Sequence, residues 1–426
     1  MSLRLAHLFS SDLGIPASLP YVELLRRRGW EITFFTPPGP RVARLAEIGA
    51  KLMDGSGSAP PMRWVELDFA RKMDPLGDLR VSARLLKQLA TERFDVVHTH
   101  ATKPGLVGRV LGAVVRSRAV VHTVHGQLWS LETPLKKRLV LAGLDKIASF
   151  GTHAVLCQSN EDLAALRTMR VIDARRLLWI GNGIDLGRFD PAAISAERRA
   201  EIRREIGVAP DEVAFFSAGR LVHLKGFAEL FEAAARARKI DRRVRLVVAG
   251  VPDDTVDSLE PHLIERARGE GVIILPETNK MPELYAASDV VVLASIHEGV
   301  PRVLMEGAAM GKPLLASNAC GCREVVTAGE TGLFANVRDA GSFTEAMLRY
   351  AGDARLREQM GAFNVTAARQ RWDVRRSAAR VAAAYDAVLA GRLPSTIEET
   401  DVDALLEEAR VGATHTARST RGAHPE

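Results

Sequence analysis

The chain has 426 residues, 47% of them hydrophobic and 26% charged, a composition that excludes a disordered chain and is too long for one ordinary core, so two domains of roughly two hundred residues each are expected. No apolar run reaches the roughly 18 residues of a membrane span, and MSLRLAHLFSSD lacks a long apolar leader and a cleavage site, so a cytoplasmic location is expected. Three cysteines exclude a disulfide framework, and the net charge of +6 is uneven: residues 1–190 hold 27 Lys and Arg against 18 Asp and Glu, so the first half is the part expected to meet an anionic partner.

Taken in order, strand and helix signals alternate, which predicts α/β domains with parallel sheets covered by helices on both faces. A strand over Leu3–Phe9 is followed by the loop SSDLGIPAS, an amphipathic helix over Leu19–Arg28 and a strand over Glu31–Thr36. Residues 54–62 (DGSGSAPPM) read as a flexible loop. A helix over Leu79–Leu89, a strand over Phe94–His100, a helix over Gly105–Arg116, a strand over Ala119–His125, a helix over Pro134–Phe150 and a strand over His153–Gln158 complete one open sheet. The glycines and proline of GNGIDLGRFDP, Gly181–Pro191, mark the hinge.

Beyond the hinge, a charged helix (Ala196–Glu205) leads to strands over Val213–Ala218, Val244–Ala249, Val272–Leu275 and Val290–Ala294, with helices over Phe227–Ala237 and Leu259–Gly269 between them. Short strands at Leu314–Ser317 and Gly332–Ala335 precede three helical patterns, the last over Trp372–Leu389, long enough to cross back to the first domain. The expected division is 1–185, 186–371, a returning helix over 372–390, and a tail over 391–426 that is acidic, then polar, and expected to be disordered.

The segment VVVLASIHEGVPRVLMEGAAMGK, residues 290–312, reads as strand, loop and helix, with Pro301 opening the helix and Gly311 closing it. In open α/β sheets ligands bind beyond the carboxyl ends of the strands, where the next helix points unpaired N–H groups. The loop and the helix here each carry a carboxylate, Glu298 and Glu306; beside a phosphate site such groups suit the hydroxyls of a sugar or ribose. A second signal is SAGRLVHLKGF, residues 217–227, where Gly219 lets a ligand approach the backbone and Arg220 and Lys225 flank a helix start. Two cations there suit a diphosphate, although alone they could equally be surface charges.

These residues resemble a family. GRLVHLKGF, VVLASIHEGVPRVLMEGAAMGKP, GCREVV and GETGLF look like the nucleotide-sugar half of retaining glycosyltransferase family 4, with Glu298 and Glu306 as its E-x7-E element. HTHATKPGLVGRV, HTVHG and IGNGIDLGRF look like its bacterial polysaccharide branch, which includes enzymes acting on undecaprenyl-diphosphate-linked glycans. The resemblance covers about residues 1–390. It implies the GT-B fold, two Rossmann-like domains facing each other across a cleft, with acceptor on the first, donor on the second and a final helix returning to the first. It also implies a hexosyltransferase using a nucleotide-diphosphate sugar, with UDP the expected nucleotide, and no metal or other cofactor.

By the same resemblance Arg220 and Lys225 bind the donor diphosphate with Gly219 beside them, Glu306 binds the ribose, and Glu298 with the backbone at Gly299 and Val300 binds the donor sugar. His125 matches a position near donor sugar and acceptor, with a hydrogen-bonding or proton-handling role. Glu298, His125, Arg220 and Lys225 are the expected catalytic residues, and no nucleic-acid partner is expected. Two departures stand out: SSDLGIP offers Gly14 alone where the family carries a glycine pair, and LPETNKMPELY replaces a glycine-containing turn before the base pocket.

Cys320 and Cys322, without a second pair, are a poor zinc signature, and His98, His100, His122 and His125 lie on two strands without an HExxH or carboxylate pattern. His98 reads as a core histidine. On the acceptor side, PLKKRLVLAGLDKIASF sets Lys136, Lys137, Arg138 and Lys146 among Leu135, Leu139, Val140, Leu144 and Ile147. That pattern suits either a helix lying on an anionic membrane or a domain helix with a solvated basic face. A lipid-linked glycan acceptor at the inner face of the cell membrane is the favoured expectation; a small-molecule acceptor and a nucleotide-sugar epimerase of the same fold are the alternatives.

Overall fold

The computed structural model describes residues 2–39, 42, 60, 62–69, 74–127, 129–252 and 257–409. The chain forms two compact units, Met1–Gly181 with Arg375–Glu426, and Asn182–Val374. The first contains strands β1 (Arg4–Leu8), β2 (Glu31–Thr36), β3 (Met62–Glu66), β4 (Val96–His100), β5 (Ala119–Val124), β6 (Ala154–Cys157) and β7 (Leu177–Trp179) in one parallel sheet ordered β3-β2-β1-β4-β5-β6-β7. The second contains β8 (Val213–Ala218), β9 (Val244–Ala249), β10 (Ile273–Leu275), β11 (Val290–Leu293), β12 (Leu314–Ser317) and β13 (Gly332–Ala335), also all parallel, ordered β10-β9-β8-β11-β12-β13.

Helices cover both faces, so the central strands are largely apolar and every residue of β5, β8, β11 and β12 is buried. Each sheet reverses its winding order once, between β1 and β4 and between β8 and β11. Those switch points, at the carboxyl ends of the strands, are where an open α/β sheet leaves a crevice for a ligand.

The boundary falls at Gly181, four residues before the expected 185, because Asn182–Asp185 is tied to the end of the second unit. Ile184 N–H donates to the Trp372 carbonyl at 2.9 Å and Val374 N–H to the Ile184 carbonyl at 3.2 Å. The helix Val374–Leu389 buries Ala378, Ala382 and Tyr385 against Leu5, Tyr21 and Ile180 of the first unit.

Several elements differ from expectation. Edge strands β3 and β7 and the helix Asn160–Thr168 had no place in the sequence reading. Trp64 of β3 stacks on Phe34 with ring centroids 4.5 Å apart, and Pro60 accepts a hydrogen bond from buried Arg26 Nε at 3.0 Å; the rest of the expected loop before Met62 lies outside the described residues. The expectation of a disordered tail is corrected over its first part. Residues 399–409 are helical and bury Val402 and Leu405, with Leu406 and Ala409 beside them, because an apolar stripe at helical spacing runs through the acidic sequence. Residues 410–426 lie outside the described residues. No helix among the described residues is long and apolar enough to cross a membrane.

Candidate active site

At the switch point of the second unit, β8 ends at Ala218 and the chain passes Gly219 and exposed Arg220 into a tight turn, His223–Lys225. Gly226, at φ +68°, then opens the helix Phe227–Ile240. A Cβ at Gly226 would stand 2.0 Å from the Ala294 carbonyl oxygen, so only glycine lets this turn lie against the end of β11. The close approach delivers Lys225 to the next loop, where its Nζ lies 2.5 Å from Glu298 Oε1. Ser295 Oγ donates to the same oxygen at 2.6 Å.

The loop carrying Glu298 is held from several sides. Glu298 N–H donates to the Cys320 carbonyl at 3.0 Å, and Asn182 Nδ2 donates to the Val300 carbonyl at 3.2 Å. Gly321, at φ +82°, lies so near that a Cβ would sit 2.4 Å from the carbonyl oxygens of Glu298 and Gly299. Glu306, on the helix Arg302–Ala309, is buried and has other partners. Tyr285 Oη donates to its Oε2 at 2.9 Å and Arg302 to its Oε1 at 3.3 Å. Burial pushes the Glu306 carboxyl above its ordinary value, while Arg302 and the Tyr285 hydrogen bond pull it down.

The first unit builds its switch point from rings. Parallel pairing places His7 of β1 beside His98 of β4, and Thr99 beside His122 of β5. Buried polar groups must find partners, and most do: His98 bonds Tyr385 Oη at 2.5 Å and Thr123 Oγ1 at 2.7 Å, and His122 Nδ1 lies 2.9 Å from Thr99 Oγ1. His100 is bonded to His125 on one side and His7 on the other, and stacks on Phe9 with centroids 4.1 Å apart. Gly14 lies in the turn Asp12–Ala17, where a Cβ would meet the Phe9 ring at 3.1 Å.

Burial holds all five rings, those of His7, His98, His100, His122 and His125, below the ordinary histidine value; His7 falls to about 3 and His125 to about 4, the latter despite a hydrogen bond with Gln158 that raises it. His7, His98 and His100 bring ring nitrogens within 4.8 Å of one another, as metal ligands would, but both nitrogens of His98 and of His100 are engaged in hydrogen bonds. His125 lines a cavity of about 260 Å³ with Thr102, Leu106, Trp129, Leu141 and Leu144. Its floor is braced by Asp145, which receives Arg109 at 2.8 Å and the Trp129 indole N–H at 3.1 Å.

Residues 21–188 match the family described as Glycosyltransferase Family 4, and residues 198–364 match Glycosyl transferases group 1. The D-inositol 3-phosphate glycosyltransferase of Actinosynnema mirum is 30% identical over 392 residues, 85% of this chain and 88% of that protein. The chain belongs to glycosyltransferase family 4. An Escherichia coli relative, UDP-Gal:alpha-D-GlcNAc-diphosphoundecaprenol alpha-1,3-galactosyltransferase, is 29% identical over 67% of this chain and 73% of its own length. In fold, the glycosyltransferase is similar to Anabaena HepE, solved with UDP and glucose: the TM-score is 0.71 at 19% identity, over 90% of this chain and 99% of that one. Its two Rossmann-like units are thus those of the GT-B fold.

In this glycosyltransferase, the structure brings Lys225 and Glu298 into direct contact, sets Arg220 at the adjoining strand end, and places Glu306 in a separate buried cluster. His125 lies at the strand ends of the first unit, beside its cavity. Sequence reasoning missed Ser295, Tyr285, Asn182 and His7. Asn182 sat in the GNG segment, read as a hinge and a family motif without a role for the asparagine, and Tyr285 in LPETNKMPELY, whose last five residues begin the helix Met281–Ala287.

Proposed function

We propose that this glycosyltransferase moves a sugar, with retention, from a UDP-sugar to a polyprenyl-diphosphate-linked glycan at an anionic membrane face. On the donor side, Arg220 and Lys225 take the diphosphate, Glu306 the ribose, and Glu298 with the Gly299 and Val300 backbone the sugar. Cleavage of the anomeric bond leaves an oxocarbenium-like sugar and negative charge on the diphosphate, which fixed cations stabilise as it develops. The acceptor hydroxyl attacks the face the diphosphate is leaving and passes its proton to the departing diphosphate oxygen, so no side-chain nucleophile is needed, and no divalent metal is needed where Arg220 and Lys225 already supply charge. The E. coli relative, which by its name takes UDP-Gal and a diphosphoundecaprenol acceptor, supports this reading.

The observation that carries the acceptor assignment is the face of the helix Leu135–Ala148. Leu135, Leu139, Val140, Leu144 and Ile147 are all exposed, Val140 and Ile147 to 65%, and Phe150 just beyond the helix to 95%. Lys136, Lys137 and Lys146 are exposed among them, while Arg138 is half-buried and donates to the Leu131 carbonyl. Single exposed apolar residues are ordinary; a contiguous row with interleaved lysines fits a bilayer with anionic headgroups. Leu144 belongs to this row and also to the wall of the His125 cavity, so a chain lying in the membrane would have its sugar head at that cavity. A small soluble acceptor is the second reading, favoured by the match to D-inositol 3-phosphate glycosyltransferases.

Vesicle flotation decides between them. Each cation near the surface contributes about 1 kcal/mol, so wild-type protein should float with phosphatidylglycerol vesicles at low salt and be released by added salt. K136E/K137E/R138E should stay in solution, and V140S/I147S, which leaves the charges alone, should bind less tightly. Wild-type protein that ignores such vesicles would hand the assignment to the soluble acceptor.

A further inference from the structure

The rings of His7, His100 and His125 form one hydrogen-bonded chain through the buried first unit. His125 Nε2 lies 2.9 Å from His100 Nδ1, and His100 Nε2 lies 3.1 Å from His7 Nδ1. All three are held neutral by burial. A neutral imidazole has one N–H and one lone pair, so two consecutive contacts force the same direction on every ring, and fixing one tautomer fixes all three.

The inner end selects the direction. At the inner end, His7 Nε2 is buried without a partner among the described residues. A proton there would be an orphaned buried donor, a rare and costly state, so the proton belongs on Nδ1, where it is given to His100. His100 then carries its own proton on Nδ1 and gives it to His125 Nε2. Since His125 Nε2 accepts from His100, the single proton of His125 stands on Nδ1. Aromatic packing keeps the chain in register: Phe9 lies flat on His100, at 5° between planes, and Phe34 stacks on His7 with centroids 5.5 Å apart.

We propose that His7 and His100 are positioning residues that lock His125 as its Nδ1–H tautomer, so that His125 offers its cavity a hydrogen-bond donor and not a base. The ligand chemistry that fits is an acceptor oxygen, a sugar hydroxyl or ring oxygen, which takes that N–H. That the oxygen belongs to a sugar rests on the transferase reading; the tautomer does not.

The test is a long-range proton–nitrogen spectrum of the full chain labelled with 15N-histidine, which separates protonated from unprotonated ring nitrogens. Signals are assigned by comparison with single H7F, H100F and H125Q variants. Wild-type protein should show His7, His100 and His125 each protonated on Nδ1 alone. H100F keeps the ring stacked on Phe9 but removes the donor, and should turn the single His125 pattern into a mixture of tautomers. H100N, whose amide N–H stands near the lost Nδ1–H, should restore the single pattern, which a role in packing alone would not produce. His125 protonated on Nε2 in the wild type would overturn the proposal, as would an unchanged His125 pattern in H100F; if H100F does not fold, the wild-type spectrum decides alone. The spectrum needs no substrate, so its failure leaves the transferase reading standing, and a correct spectrum with no sugar transfer would count against that reading instead.

Discussion

The sheets of this glycosyltransferase reverse their winding at β1/β4 and at β8/β11, and what emerges at the two points differs in kind. In the second unit the groups are charged and partly open to solvent: Lys225 and Glu298 form an ion pair whose side chains are 23% and 12% exposed, with Arg220 exposed beside them. In the first unit they are histidines and aromatics, neutral and buried except at His125, which reaches the cavity. A site that must meet a diphosphate keeps its charge available. Buried polar groups persist where their hydrogen bonds are made internally, which fits the proposed role of the first unit in orienting sugar oxygens. The two units therefore respond to different insults, the first to protonation and the second to loss of charge.

Acid should separate them most. The four buried histidines and half-buried His125 have folded values depressed below the unfolded 6.5, so as pH falls below that value the unfolded chain takes up protons that the folded chain refuses. Stability is full above pH 6.5 and is lost downwards, until about 4 for His125 and about 3 for His7. Each such histidine contributes a slope of about 1.4 kcal/mol per pH unit. Urea unfolding followed by tryptophan fluorescence reads mainly the first unit, which holds Trp30, Trp64, Trp129 and Trp179, against Trp372 in the second. The midpoint should drop steeply between pH 6.5 and 5; a flat profile would mean that the rings are hydrated.

Removing charge should strike only the second unit. R220A and K225A should each slow transfer on the order of 100-fold, the usual cost of losing one preorganised stabiliser of developing charge, while leaving the first unit's urea midpoint unchanged. K225A also leaves Glu298 without its cation, so part of its loss should appear as weaker sugar binding. Wild-type turnover in both variants would remove the diphosphate assignment.

A smaller effect, of the opposite sign in stability, is expected at Glu306. Its folded value is raised by burial, so ionisation disfavours the folded state increasingly as pH rises through and above 4.5. E306Q removes that cost and keeps an acceptor oxygen for Tyr285, so the melting temperature at neutral pH should rise slightly while nucleotide binding weakens. A lower melting temperature would show that the Arg302 ion pair outweighs the burial cost.

The sequence was legible wherever local physics and tertiary context agree. Buried parallel strands such as Val290–Leu293 are unbroken apolar runs, and Gly219, Gly226 and Pro301 punctuate the turns that carry the site. Edge strand β3 was missed because it is short and half covered, with neither a clean alternation nor an apolar run, and β7 because its apolar run, LLW, is only three residues long. The helix Asn160–Thr168 did carry a signal, Ser159 capping Asp162 N–H with Glu161 and Asp162 in the first turn. The ion pair of Lys225 with Glu298 and the Tyr285–Glu306 bond join residues 73 and 21 positions apart, and His7 meets His100 across 93. Such contacts are set by strand order, which no local pattern encodes.

The central claim is that the second unit takes a nucleotide-diphosphate sugar on Arg220, Lys225, Glu298 and Glu306 without a metal. Thermal shift across a panel of nucleotide sugars, in EDTA and again with added Mg²⁺, tests it most directly, because a ligand that binds the folded state alone must raise apparent stability by mass action. One UDP-sugar should raise the melting temperature equally in both buffers, free sugar should not, and K225A should lose the response. A shift that appears only with Mg²⁺, or no shift with any nucleotide sugar, would contradict the account.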